Sequence, residues 1–241
     1  MTTQPGLHVL VTGGTSGIGA GIARAFQSAG ARVLVTGLTA AEADAARADG
    51  LDASPLDVSD DAAVSAFAGR LERQLSTLDA LVNCAGMIRR RDEHEVDVFA
   101  QVVDVNLTGT MRMCAACRPL LAKQGGAIVN TASMYSFFGA GHAPGYGASK
   151  GGVAQLTKAL AVAYAPQKIR VNAVAPGWIR TAITQPVYSD PARSKPILDR
   201  TPLGRWGEPE DVAGPVLFLC SPAAAFVTGV ILPVDGGYLV G

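Results

Sequence analysis

Tyr146 and Lys150 stand four residues apart in the segment Tyr146-Gly147-Ala148-Ser149-Lys150. On a helix, positions i and i+4 share one face about one turn apart, so the phenol and the ammonium project to the same side. A free phenol titrates near pH 10, too high for a base at neutral pH, and a nearby ammonium favours the phenolate. Lowering that pKa by roughly three units takes about 4 kcal/mol of differential interaction. Close positive charge in a half-buried site supplies energies of that order. Tyr146 could then exchange a proton with a hydroxyl or carbonyl group. The spacing alone also arises by chance in helices, but two more residues extend it. Ser133 follows the apolar run Ala127–Ala132, where its hydroxyl could hydrogen-bond a reacting oxygen. Asn106 lies inside the helical pattern Val96–Ala122, where a poor helix former needs a reason. A local kink or a backbone hydrogen bond is one such reason, and either can coexist with a role at the site.

These residues need a frame, and the hydropathy pattern supplies it. Strand-like runs at Leu7–Thr12, Arg32–Thr36, Ala53–Leu56, Ala80–Asn83, Ala127–Ala132, Ile169–Val174 and Val230–Val234 alternate with helix-like stretches. The helices are expected at Ile18–Ala29, Ala40–Ala48, Asp60–Leu75 with Ser59 as its cap, Val96–Ala122, Gly147–Tyr164 and Glu208–Cys220. Such alternation predicts an α/β fold, a parallel sheet with helices on both faces. Ligands of such sheets bind outside the carboxyl ends of the strands, near the topological switch point. The residues that follow the strands are Gly13–Gly19, Gly37–Thr39, Asp57–Val58, Asn83–Gly86, Ser133 and Pro176–Thr181.

The first of these is Thr12-Gly13-Gly14-Thr15-Ser16-Gly17-Ile18-Gly19. Gly13 permits a tight turn, Gly17 lets the backbone approach a pyrophosphate at a helix N-terminus, and Gly19 allows close packing of helix on sheet. The spacing is G-x-x-x-G-x-G rather than G-x-G-x-x-G. A glycine-rich turn can occur at any β-α corner, but its place after the first strand points to a dinucleotide. The usual acidic partner for the adenosine ribose, about 20 residues on, is missing: the second strand ends Val35-Thr36-Gly37-Leu38-Thr39, and Glu42 and Asp44 come later. No Arg stands there to meet a 2′-phosphate. The cofactor is therefore NAD or NADP, with a lean to NAD because a doubly charged phosphate lacks a local cation.

Composition excludes other classes. Lys+Arg and Asp+Glu are equal at 20 each, so no basic excess points to nucleic acid or an anionic membrane. Met1 to Gly6 is short and polar and has no signal-peptide pattern. No uncharged apolar run reaches the ~18 residues of a membrane span. Four cysteines in a chain with a normal-sized core indicate a reducing, cytoplasmic setting. Cys114-x-x-Cys117 falls within a helical pattern and reads as packing; no metal site is expected. The 241 residues show neither repeats nor a linker and read as a single dinucleotide-binding and catalytic domain, 1–241.

On these motifs the chain resembles the short-chain dehydrogenase/reductase family over essentially its full length. Thr12–Gly19 is similar to that family's cofactor loop, and Asn83-Cys84-Ala85-Gly86 to its Asn-Asn-Ala-Gly segment, with Cys84 in place of the second Asn. Asn106, Ser133, Tyr146 and Lys150 match the catalytic tetrad at the usual separations. Asp57 and Val58 match an adenine-contacting pair, and Pro176-Gly177-Trp178-Ile179-Arg180-Thr181 the segment that contacts the nicotinamide carboxamide. The resemblance implies a Rossmann-type, doubly wound sheet of about seven parallel strands. It implies an NAD(P)-dependent oxidoreductase that interconverts a secondary alcohol and a ketone by hydride transfer, usually as a homotetramer assembled through the helices carrying Asn106 and Tyr146. Tyr146 would be the acid/base, Lys150 would lower its pKa and bind the nicotinamide ribose, Ser133 would stabilise the reacting oxygen, and Asn106 would hold a water in a proton relay with Lys150. Cofactor contacts would come from Gly13, Thr15, Ser16, Gly17, Ile18, Gly19, Leu38, Asp57, Val58, Asn83, Ala85, Gly86, Tyr146, Lys150, Pro176, Gly177, Ile179 and Thr181.

A narrower similarity, at Ala85–Arg90, Ala132–Phe137 and Ile197–Gly207, is to deoxygluconate and ketodeoxygluconate dehydrogenases. It implies a sugar, sugar acid or polyol as substrate, with Arg89 or Arg90 as a carboxylate partner; Arg89–Arg91 also reads as a solvated loop. Tyr135, Phe138, His142 and Trp178 would line the substrate pocket, beneath a mobile loop before Arg205. Two other readings compete. One is an NADPH-dependent reductase of 3-oxoacyl thioesters, docked on Arg89–Arg91. The other is a dinucleotide-binding sensor without turnover, against which the intact tetrad argues.

Overall fold

A computed structural model describes residues 6–241; residues 1–5, most of the N-terminal segment read above, lie outside the described residues. The run His-Val-Leu-Val-Thr forms β1 (His8–Thr12). Alternation sends Val9 and Val11 to one face and Leu10 to the other, and all three are fully buried. Six more strands extend the sheet: β2 (Arg32–Gly37), β3 (Asp52–Pro55), β4 (Ala80–Asn83), β5 (Ala127–Thr131), β6 (Arg170–Pro176) and β7 (Ile231–Val234). Their order is β3-β2-β1-β4-β5-β6-β7, and every pairing is parallel. The chain winds outward from β1 in one direction and from β4 in the other. The switch point therefore lies between β1 and β4, and the crevice opens at their carboxyl ends.

One face of the sheet is covered by α1 (Gly17–Ser28), α2 (Ala40–Ala48) and α9 (Pro209–Cys220), whose Ile22, Phe26, Val212 and Val216 pack on Val9, Val33 and Val35. The other face carries α3 (Asp61–Gln74), α5 (Gly109–Ala122) and α6 (Pro144–Tyr164), with Phe67, Leu71, Met113, Leu120 and Leu160 against Leu10, Leu81 and Ile128. Cys114 and Cys117 are free thiols in this second layer, both buried. Burial pushes both up, Cys114 to about 12. Among the described residues no helix is long and apolar enough to cross a membrane.

Four local features differ from the sequence reading. The cap of α3 is Asp60, whose carboxylate accepts from the Ala62 and Ala63 N–H groups at 2.8 and 3.0 Å; Ser59 instead donates its N–H and hydroxyl to Asp57. The pattern Val96–Ala122 is α4 (Val96–Val103) followed by a π turn (Asp104–Thr108) and α5, with Asn106 at the centre of the π turn. α6 begins at Pro144, three residues earlier than expected, because proline at N1 needs no N–H partner. Tyr146 is thus a first-turn residue. The segment before Arg205 contains α7 (Gln185–Tyr188) and α8 (Pro191–Arg200), and α8 is capped by Asp190. Val187, Ile197 and Trp206 anchor this segment in a small apolar cluster of their own.

Candidate active site

The glycine loop forms a cradle between β1 and α1. Gly13 turns through φ 62° with its Cα against the backbone of Ala85: a Cβ there would lie 2.7 Å from the Ala85 nitrogen. The Ala85 N–H in turn donates to Thr12 Oγ1. A Cβ on Gly19 would collide with the Gly13 carbonyl. A Cβ on Gly17 would meet only Thr181, so the loop is closed below and open toward the crevice. That crevice, about 550 Å³, is lined by Gly13, Thr15 to Gly19, Leu38, Asp57, Val58, Ala85, Gly86, Tyr146, Lys150, Pro176, Gly177, Ile179 and Thr181. Every proposed cofactor contact except Asn83 is therefore in the lining. Asn83 is buried beneath the crevice, where its Nδ2 donates to Asn130 Oδ1 at 2.9 Å and to Cys114 Sγ at 3.3 Å. A final strand residue points into the sheet as readily as out of it, and here the packing turns Asn83 inward. These residues suit a dinucleotide: bare backbone and a helix N-terminus for the pyrophosphate, an apolar slot beyond β3, and a buried cation at the far end.

Glu42 also lines the crevice. It is the third residue of α2 in a capping box with Thr39, and its Oε2 accepts from the Leu38 N–H at 2.7 Å and the Thr39 N–H at 3.3 Å. The capping geometry thus brings back to the tip of β2 a carboxylate that the strand itself lacks. The Thr39-x-x-Glu42 signature was the signal for it in the sequence.

At the other end stand Tyr146 and Lys150. The Lys150 ammonium lies 5.6 Å from the Tyr146 ring centre and donates to the Thr131 carbonyl at 2.6 Å. Burial lowers Lys150 to about 8. Burial also raises Tyr146; a hydrogen bond with the Ser133 side chain and the Arg90 charge pull it down, and Glu93 pushes it up. Ser133 is the N-terminal cap of a short turn, Met134–Ser136, and its hydroxyl accepts from the Tyr135 N–H at 3.2 Å at the edge of the crevice that Tyr146 also lines.

Asn106 is fully buried and does not line the crevice. Its side chain pairs with both backbone groups of Met87: Oδ1 accepts the N–H at 2.7 Å and Nδ2 donates to the carbonyl at 2.9 Å. Nδ2 also donates to Ser149 Oγ, which donates to the Tyr146 carbonyl at 2.8 Å. A Cβ built on Gly86 would lie 3.1 Å from Asn106 Oδ1 and 3.7 Å from Lys150 Nζ, so the two groups flank one glycine. Ser149 and Thr131, which connect these groups, were not identified from the sequence.

On the substrate side Arg89, Arg90, Tyr135 and Trp178 reach the crevice. Arg90 also donates to the Ile183 carbonyl, across from the α7 segment. Phe138 and His142 are not in the lining; they stand behind Tyr135, edge-on at 5.3 and 5.9 Å between ring centres. They back the wall because the turn after Ser133 spends its inward position on Tyr135. Burial and Arg90 lower His142.

Residues 13–239 match the family model described as enoyl-(acyl carrier protein) reductase. The chain is 41% identical to a 2-dehydro-3-deoxy-D-gluconate 5-dehydrogenase of Pseudoalteromonas atlantica, over 97% of this chain and 96% of that protein. It is 43% identical to a galactitol 2-dehydrogenase (L-tagatose-forming) of Cereibacter sphaeroides, over 98% and 96%. Among solved structures, a gluconate 5-dehydrogenase from Burkholderia cenocepacia in complex with NADP and tartrate superposes with a TM-score of 0.92 at 33% identity, covering 100% of this chain and 98% of that one.

Proposed function

Because the chain belongs to the short-chain dehydrogenase/reductase family and is an NAD(P)-dependent oxidoreductase of CH–OH groups, we propose that its one domain interconverts a secondary alcohol and a ketone of a sugar, sugar acid or polyol, with Tyr146 handling the proton. The observation that carries this reading is the convergence of Tyr146, Ser133 and the buried Lys150 in the lining of one crevice, at the end of a glycine cradle. When bound, the nicotinamide supplies the hydride acceptor or donor. Tyr146 Oη takes the proton from the substrate hydroxyl in oxidation and returns it to the carbonyl oxygen in reduction. Ser133 Oγ hydrogen-bonds the same oxygen. Lys150 would hold the ribose end of the cofactor, and Asn106 would hold a water in a proton relay with its ammonium. Trp178 and Tyr135 shape the pocket, and Arg89 or Arg90 receives a substrate carboxylate.

The reading favours NAD. Glu42 presents a carboxylate where the adenosine ribose would lie, which suits a 2′-OH and repels a 2′-phosphate; the Burkholderia structure, by contrast, holds NADP. Glu42→Gln, which removes the charge and keeps the length, is expected to raise kcat/KM with NADP relative to NAD. A wild-type preference for NADP, unchanged in the variant, would contradict this assignment. The reading also carries a homotetramer, which would cover apolar residues exposed on α4, α5 and α6 (Val96, Met111 and Val162). A cytoplasmic setting is compatible with four free thiols.

The test of the activity is an absorbance screen at the reduced-nicotinamide band, running sugar acids, polyols, simple secondary alcohols and acyl thioesters with both cofactors. Tyr146→Phe should abolish turnover while leaving cofactor binding intact. Normal turnover in that variant would remove Tyr146 from the mechanism.

A further inference from the structure

We propose that Glu93 is a positioning residue for the proton transfer: its carboxylate clamps the loop after β4 to the first turn of α6 and so fixes where Tyr146 stands. The inference rests on the reading of Tyr146 as the acid/base. Glu93 is only 1% exposed. Its Oε1 accepts from the Arg89 N–H and its Oε2 from the Tyr146 N–H, both at 2.7 Å. Neither bond belongs to secondary structure, and each ends on a residue that lines the crevice, Arg89 or Tyr146.

The need for the clamp is local. α6 has Ala143 at its cap position, with no side-chain acceptor, and Pro144 at N1. The Tyr146 N–H would be left among the unpaired donors of the first turn. Glu93 reaches in from another segment and accepts that donor, at the positive end of the helix dipole. Gly145 makes room for it: a Cβ there would lie 3.3 Å from Glu93 Oε2 and 3.2 Å from Phe99. A second tie runs alongside, from the Arg91 N–H to the His142 carbonyl at 2.7 Å. Arg91 holds φ 73°, a backbone conformation that residues with a side chain rarely adopt. The loop is therefore held against its own preference, and Glu93 is the group that holds it to the catalytic helix. Arg89 and Arg90 face the substrate from that loop, so the clamp sets their distance from Tyr146 as well.

The clamp also has an electrostatic side. The groups that face Tyr146 are Lys150 on its own helix, Ser133 and Tyr135 from the segment after β5, and Arg90 and Glu93 from the loop after β4. Arg90 lowers the phenol and Glu93 raises it. Removing the Glu93 charge therefore moves Tyr146 toward an earlier titration, a change that a purely structural strut would not produce.

The experiment compares full-length wild type, Glu93→Gln, Glu93→Asp and Tyr146→Phe, using whichever sugar acid or polyol the screen gives as fastest. Glu93→Gln presents an amide to two N–H donors and keeps at most one bond. Its kcat for alcohol oxidation should fall on the order of 10- to 100-fold, the scale of a small displacement at a reacting centre, with KM for the nicotinamide cofactor little changed. The acidic limb of its pH profile should move to lower pH. Glu93→Asp keeps the charge but is one methylene too short to span both donors; it should lose rate and keep the wild-type limb. A folded Glu93→Gln with wild-type kcat and pH limb overturns the proposal. So does a loss of rate in both variants that follows cofactor affinity with the limb unmoved. Should Glu93→Gln not fold, Glu93→Asp alone decides, since an undiminished kcat there refutes the clamp. Normal turnover in Tyr146→Phe would instead defeat the acid/base reading, so the two failures are distinguishable.

Discussion

Lys150→Met should make the protein more stable at neutral pH while destroying its activity. Lys150 is 5% exposed, and burial lowers it from 10.5 to about 8. The folded chain therefore disfavours the ammonium relative to the unfolded chain. At about 1.4 kcal/mol per pH unit, a gap of that size corresponds to roughly 3 kcal/mol of destabilisation. It is present in full below pH 8 and relieved as pH climbs toward 10.5, because over that window the unfolded chain binds more protons than the folded one. The ammonium's hydrogen bond to the Thr131 carbonyl already acts within this balance. Methionine fills a similar volume without a charge but leaves that carbonyl without its partner, which costs about 1–3 kcal/mol. The net gain at pH 7 is therefore on the order of 1 kcal/mol. The change in that gain with pH is the sharper quantity: between pH 7 and pH 9.5 the advantage of the variant should shrink by about 2 kcal/mol. Urea unfolding at the two pH values measures it, provided the slopes agree. The thiols of Cys114, Cys117 and Cys220, all raised by burial, weaken both proteins above their ordinary range and cancel in the difference; Cys84, which the Lys150 charge pulls down, is raised further in the variant and shrinks its advantage in the same direction. A stability difference that is the same at pH 7 and 9.5 would refute the reasoning, because Lys150 would then titrate as an ordinary surface lysine.

Gly19→Ala should abolish cofactor binding, since its Cβ would strike the Gly13 carbonyl and push the loop out of the crevice; calorimetric titration with NAD checks it, and near-normal affinity would mean that the loop does not hold the pyrophosphate. Ser149→Ala breaks the link from Asn106 to the Tyr146 carbonyl and should lower stability by about 1–3 kcal/mol together with kcat, seen by urea midpoint and initial rates. Because burial raises Tyr146, alcohol oxidation, which needs the phenolate, should accelerate as pH rises through the alkaline range; carbonyl reduction, which needs the phenol, should hold its rate through neutral pH. A profile of both directions tests this pair.

Much of the frame was legible because it is written in short-range pattern. Alternating Val and Leu in β1, the glycines after it, and the i, i+4 spacing of Tyr146 and Lys150 each depend on neighbours within a few residues. What was hidden depends on partners far along the chain. Glu93 meets Tyr146 across 53 positions, and no local signal marks a glutamate that will cap someone else's helix. Asn83 carried a motif position, yet its direction was decided by Asn130 and Cys114. α8 was obscured by Pro196 and by a mostly polar surface that leaves only Ser194 and Ile197 buried. Phe138 and His142 were placed one layer too far inward, because aromatic residues near a pocket can line it or stand behind what does. The cofactor preference was read from a strand tip without charge, whereas the charge arrives from the next helix through Thr39 and Glu42.

The π turn at Asp104–Thr108 has a consequence for the molecule as a mechanical object. A π turn holds one residue more than the α-helical lattice allows, so the side chains after it are out of phase with those before it by roughly the 100° that one residue occupies. α4 rests on α6, while α5, continuous with it, rests on α3 and β4. One helix thus changes partners midway along its length without a break in the chain. Deleting a single residue from the turn would restore an ideal helix and rotate one half against the other. Either Val102 or Met113 would leave its pocket, and Asn106 would no longer address Met87. The irregularity therefore works as a phase adjuster between two packing surfaces, and the site sits at the one point along the helix where that adjustment is made.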